Sequence, residues 1–357
     1  MKTLKEVDGD LINHWYILCL DSEIPVNKPI RRVLYDVPYV IFRNNLGGIS
    51  VFEDRCIHRC AKLSEGKLIK GEISCPYHGW RYNSKGDVIE IPSEGDHEGP
   101  SPKKIRSKLC AKVPPFVLQD GCLWIWPGDL AKKTSKPNWN FPFYGQSNVP
   151  QYFMITDFEN EVTQLAENFM DVPHTVFVHA KWFRRPSLLK VPMVVTVGSG
   201  RVLVTYDQPN DTIGVTKKIL NPKGKPTTHT DEFIFPNLTR VDYKFGDHFF
   251  VINSQSSPIS RYQSRVYTWI AYNVGFFSKL MKPFLGFYTR KVIQQDVEVM
   301  ANQGPNLKVF ENLGNIEFQS TQADELHLAI DRMRNMGVKD RNSVYSIHYE
   351  RQREFWI

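Results

Sequence analysis

Cys56-Ile-His58 and, after sixteen intervening residues, Cys75-Pro-Tyr-His78-Gly-Trp80 decide the reading of the N-terminal third of the chain. Each half offers one thiol and one imidazole at the end of a hairpin-like loop. An iron–sulfur centre with two thiolates on one iron and two imidazoles on the other needs that asymmetric donor set. The imidazoles raise its potential above that of an all-cysteine cluster. Pro76 and Gly79 flank the donors and let the backbone turn tightly and approach the sulfides. Tetrahedral zinc also accepts two cysteines and two histidines. Zinc-binding spacings, however, usually pair cysteine with cysteine and histidine with histidine, whereas each half here is mixed.

Working outward, residues 11 to about 128 form a succession of short strands. Ile12–Leu20, Arg32–Tyr35, Tyr39–Arg43 and Ile49–Glu53 alternate with turn residues, and Asn44-Asn-Leu-Gly-Gly48 marks a hairpin. Cys122-Leu-Trp-Ile-Trp126 closes the series before Pro127-Gly128. This spacing predicts a small antiparallel sandwich or barrel over residues 1–130. The polar, proline-bearing segment 131–142 reads as a linker, and 143–357 as a second domain. In that domain Asp157–Phe177 has helical character. Met193–Val197, Arg201–Tyr206, Phe245–Ile252 and Arg265–Tyr272 alternate as strands. Helical patterning resumes over Gly286–Asn302, with a stop at Gly304-Pro305, and over Gln322–Met336, with a stop at Gly337. Strands followed by terminal helices indicate an α+β domain.

The 357 residues suffice for two cores, and the six cysteines are too few for a disulfide framework in a chain this long. The excess of 45 basic over 38 acidic residues gives +7. It contains no block of like charge that would make a nucleic-acid arm; Arg184–Arg185 and Lys217–Lys218 are short surface pairs. A diffuse basic field suits docking of an acidic electron-transfer partner. The first ten residues lack an apolar stretch, so no signal peptide is expected and the location is expected to be cytoplasmic. Lysines and a proline interrupt Val274–Tyr288 well short of the ~20 apolar residues a membrane span needs.

The Cys-x-His and Cys-x-x-His-Gly-Trp pattern resembles the Rieske domain of the ring-hydroxylating and demethylating non-haem iron oxygenases. Respiratory Rieske proteins carry a disulfide between the two loops. Here Tyr77 stands where a second-loop cysteine would be, which favours the oxygenase type and leaves Cys60 as a small buried residue. The resemblance runs from Trp15-Tyr16 to the Asp296 region in order. It implies a [2Fe–2S] cluster on Cys56, His58, Cys75 and His78, followed by a helix-grip (START-like) catalytic domain with a large antiparallel sheet.

A second metal depends on Asn168-Phe-Met-Asp171-Val-Pro-His174-Thr-Val-Phe-Val-His179. Five residues on a straight helix separate His174 from His179 by about 140°. They can share an ion only if the helix ends or bulges between them. From these residues alone, a pair of ordinary core or surface histidines is as good a reading. The segment is similar to the oxygenases' mononuclear iron motif, and Gln294-Gln-Asp296 to their Gln-Asp element. The resemblance implies His174, His179 and Asp296 as an Fe(II) facial triad, with positions open for O2; Glu298 is the rival carboxylate. It further implies that Asp171 hydrogen-bonds His174 and also the partner subunit's His78, linking the two centres across a homotrimer.

The activity so implied is oxygenation of a small, apolar or cyclic organic substrate. Electrons come from NAD(P)H through a separate reductase, with or without a ferredoxin. The chain has no Gly-x-Gly-x-x-Gly fingerprint with which to bind a dinucleotide itself. Hydroxylation or oxidative demethylation is the preferred outcome, with cis-dihydroxylation the alternative. From another class, the chain could be an electron carrier or redox sensor. Phe169, Phe177 and aromatics of the 276–288 segment are candidate pocket residues.

Overall fold

The computed structural model describes residues 3–94, 109–180, 182, 189–207, 225–276, 278–314 and 316–357. Arg184–Arg185, Lys217–Lys218 and Phe277 lie outside the described residues. The chain divides into two compact units, Asn13–Asn138 and a second comprising Met1–Ile12 with Trp139–Ile357.

The first unit is built from short antiparallel strands: β1 (Tyr16–Leu20), β2 (Ile30–Leu34), β3 (Val37–Arg43), β4 (Ile49–Glu53), β5 (Lys67–Ile69), β6 (Glu72–Ser74), β7 (Arg81–Tyr82), β8 (Val88–Glu90), β9 (Phe116–Gln119) and β10 (Cys122–Ile125). They form three sheets, ordered β1-β10-β9, β2-β3-β4 and β5-β6-β7-β8. Asn44 shapes the β3–β4 hairpin, its Oδ1 accepting from the Leu46 and Gly48 amides. Period-two alternation turns Val40 and Phe42 inward, where Phe42 meets Phe52 edge to face at 5.4 Å. Cys56, Cys75 and Tyr82 belong to the same buried cluster, so the cysteine loops rise directly from the core.

The second unit is dominated by eight antiparallel strands: β11 (Gln151–Phe158), β12 (Lys190–Gly198), β13 (Arg201–Tyr206), β14 (Thr227–Ile234), β15 (Leu238–Phe245), β16 (His248–Ser260), β17 (Gln263–Asn273) and β18 (Tyr349–Trp356). Their order is β11-β17-β16-β15-β14-β13-β12-β18. The helices are α1 (Leu4–Asp8), α2 (Val162–Met170), α3 (Lys282–Asn312) and α4 (Glu325–Lys339). On β12, Val191, Met193, Val195 and Val197 are buried; they join Ala166 and Met170 of α2 and Ala329, Ile330 and Met333 of α4 in one core. α3 packs on the same face further along, with Leu285 beside Met154 and Ile270, and Met300 beside Phe158 and Val266. Leu11 belongs to this unit's core, and Asp10 Oδ2 accepts from the Arg341 amide, which ties the first residues to the turn that follows α4.

Several boundaries depart from the sequence reading. Phe245–Ile252 is not one strand; the chain reverses at Gly246-Asp247, and β15 pairs with β16 as a hairpin. The helical stretch expected over Asp157–Phe177 begins as the end of β11 and becomes α2 only at Val162. Neither Gly304-Pro305 nor Gly337 ends a helix. A Cβ on Gly304 would lie 1.9 Å from Glu159 O, and one on Gly337 would lie 2.3 Å from the Phe235 ring. Both glycines serve close packing. α3 stays helical past Pro305 because Met300, Gly304 and Leu307 remain buried.

Candidate metal centres and their pocket

The two Cys/His loops are built alike. In the first, the Cys56 amide donates to Ala61 O at 2.8 Å and the Cys60 amide to Cys56 O at 2.9 Å. In the second, the Cys75 amide donates to Trp80 O at 2.8 Å and the Gly79 amide to Cys75 O at 3.0 Å. Residues at equivalent turn positions, Cys60 and Gly79, have φ of 56° and 73°. Cys60 is therefore a turn residue. It is exposed, not buried as its residue type suggested.

The loops bring unlike pairs together. Cys56 and Cys75 are buried and lie within side-chain hydrogen-bond reach, and the Tyr77 and His78 amides point at the Cys75 sulfur. Burial pushes the Cys75 thiol up, and the Cys56 sulfur adds to this against the amides. The Tyr82 hydroxyl lies 3.1 Å from Cys56 Sγ. His58 and His78 pair on the outer side with ring centroids 4.6 Å apart, and Trp80 stacks on His58 at 4.7 Å. His58 Nδ1 is buried with no hydrogen-bond partner among the described residues. Two sulfurs on one side and two imidazoles on the other fit a [2Fe–2S] cluster of mixed ligation.

In the second unit the helix breaks where a shared ion requires it. Pro173 has no amide hydrogen to donate to Phe169 O, so α2 cannot run through it. Asp171 caps the helix in extended conformation (φ −82°, ψ 113°) and a fresh turn starts at Pro173. The Val178 amide then donates to His174 O and the His179 amide to Thr175 O, which folds His179 back beside His174. Their Nε2 atoms lie 3.3 Å apart. Asp296, from the middle of α3, places Oδ1 3.1 Å from His179 Nε2 and 3.5 Å from His174 Nε2. Glu298 is absent from this cluster.

His179 Nδ1 donates to Gln295 Oε1 at 3.0 Å, so the neutral ring keeps its lone pair on Nε2. Asp171 Oδ2 sits 3.5 Å from His174 Nδ1. Asp296 Oδ1 is buried with no hydrogen-bond partner among the described residues. Lone pairs thus converge in a dry site, an arrangement that a cation relieves. The ionisation of the groups expresses the same demand. Burial alone would lower His174, but the Asp171 and Asp296 carboxylates overcome it and push His174 up to about 9. Burial would raise Asp296, but the two histidines hold it below the usual carboxylate range. The donor set of two imidazoles and one carboxylate fits Fe(II).

His174, His179, Asp171 and Asp296 line a cavity of about 150 Å3 whose remaining wall is largely apolar, from Phe169, Val241, Phe250, Ile252 and Ile293 among others. Engineered apolar cavities of roughly that volume accept benzene. Of the aromatics expected there, Phe169 and Tyr288 line it. Phe177 is 80% exposed, and Phe276, Phe284 and Phe287 face solvent. Sequence reading quoted Gln295 within the Gln-Asp element but gave it no role, and it missed Tyr82, whose only signal was its place two residues past Trp80.

Two family models match the chain: the Rieske [2Fe-2S] domain over residues 14–108, and the vanillate O-demethylase oxygenase C-terminal domain over 159–339, which is just over half of the sequence. The chain belongs to the Rieske non-haem iron oxygenases. Among curated relatives of this Rieske oxygenase, the dicamba O-demethylase oxygenase component of Stenotrophomonas maltophilia is 30% identical over 57% of this chain and 58% of its own length. Protein TIC 55 of Arabidopsis thaliana is 32% identical over 50% of this chain and 32% of its own. The chain thus spans less than two-thirds of these relatives' lengths. A crystal structure of dicamba monooxygenase bound to 3,6-dichlorosalicylic acid superposes with a TM-score of 0.79, covering 93% of this chain and 99% of that one at 21% identity. Pseudomonas putida NdmA with caffeine gives 0.73 at 18% identity and 94% coverage of each. These likenesses establish the fold, a β-rich Rieske domain followed by a catalytic domain with a large antiparallel sheet. No described helix is long and apolar enough to cross a membrane.

Proposed function

We propose that this chain is the terminal oxygenase of a multicomponent system that hydroxylates or oxidatively demethylates a small, largely apolar substrate. The observation that carries the reading is the convergence of His174, His179 and Asp296 on the wall of an apolar cavity, in a chain whose other unit pairs two thiols with two imidazoles. When bound, a [2Fe–2S] cluster on Cys56, His58, Cys75 and His78 and an iron on His174, His179 and Asp296 supply electron delivery and dioxygen activation. The names of relatives, dicamba O-demethylase and the toluene-4-sulfonate monooxygenase system, favour monooxygenation over cis-dihydroxylation.

The protein's own contributions are orientation and exclusion of water. Gln295 fixes the His179 tautomer, and Asp171 orients His174 through Nδ1. Apolar residues of β15, β16 and α3 hold the substrate ring in a dry space beside these donors. By family resemblance Asp171 also hydrogen-bonds the partner subunit's His78, in a homotrimer. A separate NAD(P)H-dependent reductase, with or without a ferredoxin, supplies the electrons.

Metal analysis of anaerobically prepared protein tests the reading. About three irons per chain with acid-labile sulfide are expected. About two would leave an electron carrier, and a colourless zinc protein would remove both readings. Substrate-dependent O2 uptake with a surrogate reductase then separates oxygenase from carrier.

A further inference from the structure

His229 on β14 lines the same cavity as the proposed iron ligands but is not one of them. It is 4% exposed and lies between two tyrosine rings, Tyr206 at 4.7 Å and Tyr243 at 4.2 Å, with planes inclined by 22° and 14°. The sheet register dictates this sandwich, because Tyr206 on β13 and Tyr243 on β15 are the direct neighbours of His229 on either side. Asp231, two residues along on the same face, accepts from His229 Nε2–H at 2.9 Å and from the Tyr206 hydroxyl at 2.8 Å. A neutral imidazole that gives its hydrogen to Asp231 carries its lone pair on Nδ1. That Nδ1 is buried and has no hydrogen-bond partner among the described residues.

Most other polar groups of the cavity wall are engaged within the protein. Thr175 donates to Val172 O, Thr289 donates to Leu285 O, and Ser254 and Thr268 bond each other at 3.0 Å. Apart from Asp296 Oδ1 in the metal-ligand cluster, Asn168 Oδ1 is another orphaned acceptor of the same wall. Unpaired buried acceptors are unfavourable unless something donates to them. A residue stacked on both faces and anchored from behind is held in one orientation. The formal charges on the described lining side chains are the carboxylates Asp171, Asp231 and Asp296 and any on the histidines, which disfavours an anion facing a lone pair.

We propose that His229 is a substrate-positioning residue whose Nδ1 accepts a hydrogen bond from an O–H or N–H group of an uncharged, otherwise apolar cyclic substrate. The inference deepens the oxygenase reading, since it says which end of the substrate is read and therefore which end is turned toward the iron ligands. Asp231 and Tyr206 act through His229 by fixing its tautomer.

Equilibrium binding to the iron-loaded, anaerobic protein tests it without turnover, with indole, its near-isostere indene, which lacks the N–H, and benzoate as probes. The ratio of indole to indene affinity should fall about tenfold in His229→Phe while indene binding changes less than about twofold. Asp231→Asn can donate to Nε2 and move the ring hydrogen to Nδ1. The indole preference should then fall as well, and benzoate should gain. An unchanged ratio in both variants overturns the proposal. So does equal weakening of indole and indene, or a wild-type preference for benzoate that His229→Phe abolishes. Cluster absorbance and iron per chain, measured on the same samples, report folding and the oxygenase reading separately. An intact indole preference in protein that cannot be loaded with a third iron would sink that reading and leave the role of His229 standing.

Discussion

The side chains around Asp296 are arranged for a cation, and a proton competes for the same lone pairs. Because His174 is pushed up to about 9, a metal must displace its proton at neutral pH. Apparent Fe(II) affinity should therefore rise about tenfold per pH unit between pH 6.5 and 8.5, as read by anaerobic titration; a flat profile would show that the carboxylates do not hold a proton on His174 in this range. Gln295→Leu removes the acceptor that fixes His179 and should weaken iron binding by about 10–100-fold, with the cluster spectrum unchanged. Asp171→Asn should leave both metals bound yet lower turnover by at least about a hundredfold. Normal single-turnover reoxidation of the cluster in that variant would remove its linking role. The grouping of Cys56 with Cys75 and of His58 with His78 was legible from mixed Cys/His spacing. His174 and His179 were not, because on an unbroken helix they point apart. Pro173 signals locally that α2 stops, but not that the fresh turn folds His179 back beside His174 and under Asp296.

At the scale of single elements, the misread residues are glycines. Gly304 and Gly337 resemble helix stops in sequence, yet each sits inside a helix against another element, Gly304 on Glu159 O and Gly337 on the Phe235 ring. Whether a glycine marks an end or a contact depends on what packs there, and that information is absent from the local sequence. Gly304→Ala and Gly337→Ala should therefore each destabilise the second unit by more than about 1 kcal/mol, although alanine is the better helix former. Gly286 has nothing within 4 Å of its would-be Cβ. Gly286→Ala should stabilise by about 0.5–1 kcal/mol. Opposite signs in chemical denaturation among three identical substitutions in two helices would separate packing from propensity, and a common sign would refute the account. Strands with clean alternation, such as β12 and β13, were readable, whereas β14 and β15 were not. Both carry polar residues on the face that lines the cavity, His229 and Asp231 on β14 and Thr239 on β15, so function erases the apolar period.

Across the molecule, the site needs a sheet broad enough to carry a cavity under α2 and α3, and the order of its eight strands could not be read from any window of sequence. The same packing leaves a cost that pH exposes. Glu167 on α2 is covered by the fold, and burial first, then the nearby Asp331 and Glu161, outweigh Arg334 and push its carboxyl up to about 8. A folded-state value above the unfolded one means that the native protein holds this proton more tightly. The stability that Glu167 contributes is complete below the unfolded value near 4.5 and is lost as pH rises through about 8. Glu167→Gln keeps the shape and cannot ionise. Its melting temperature should match that of the wild type near pH 4, exceed it increasingly up to about pH 8 and level off above that, by calorimetry on iron-loaded protein. A difference that stays constant with pH would mean that α2 and α4 accommodate the charged carboxylate, and that the helix carrying Asp171 is not under this electrostatic load.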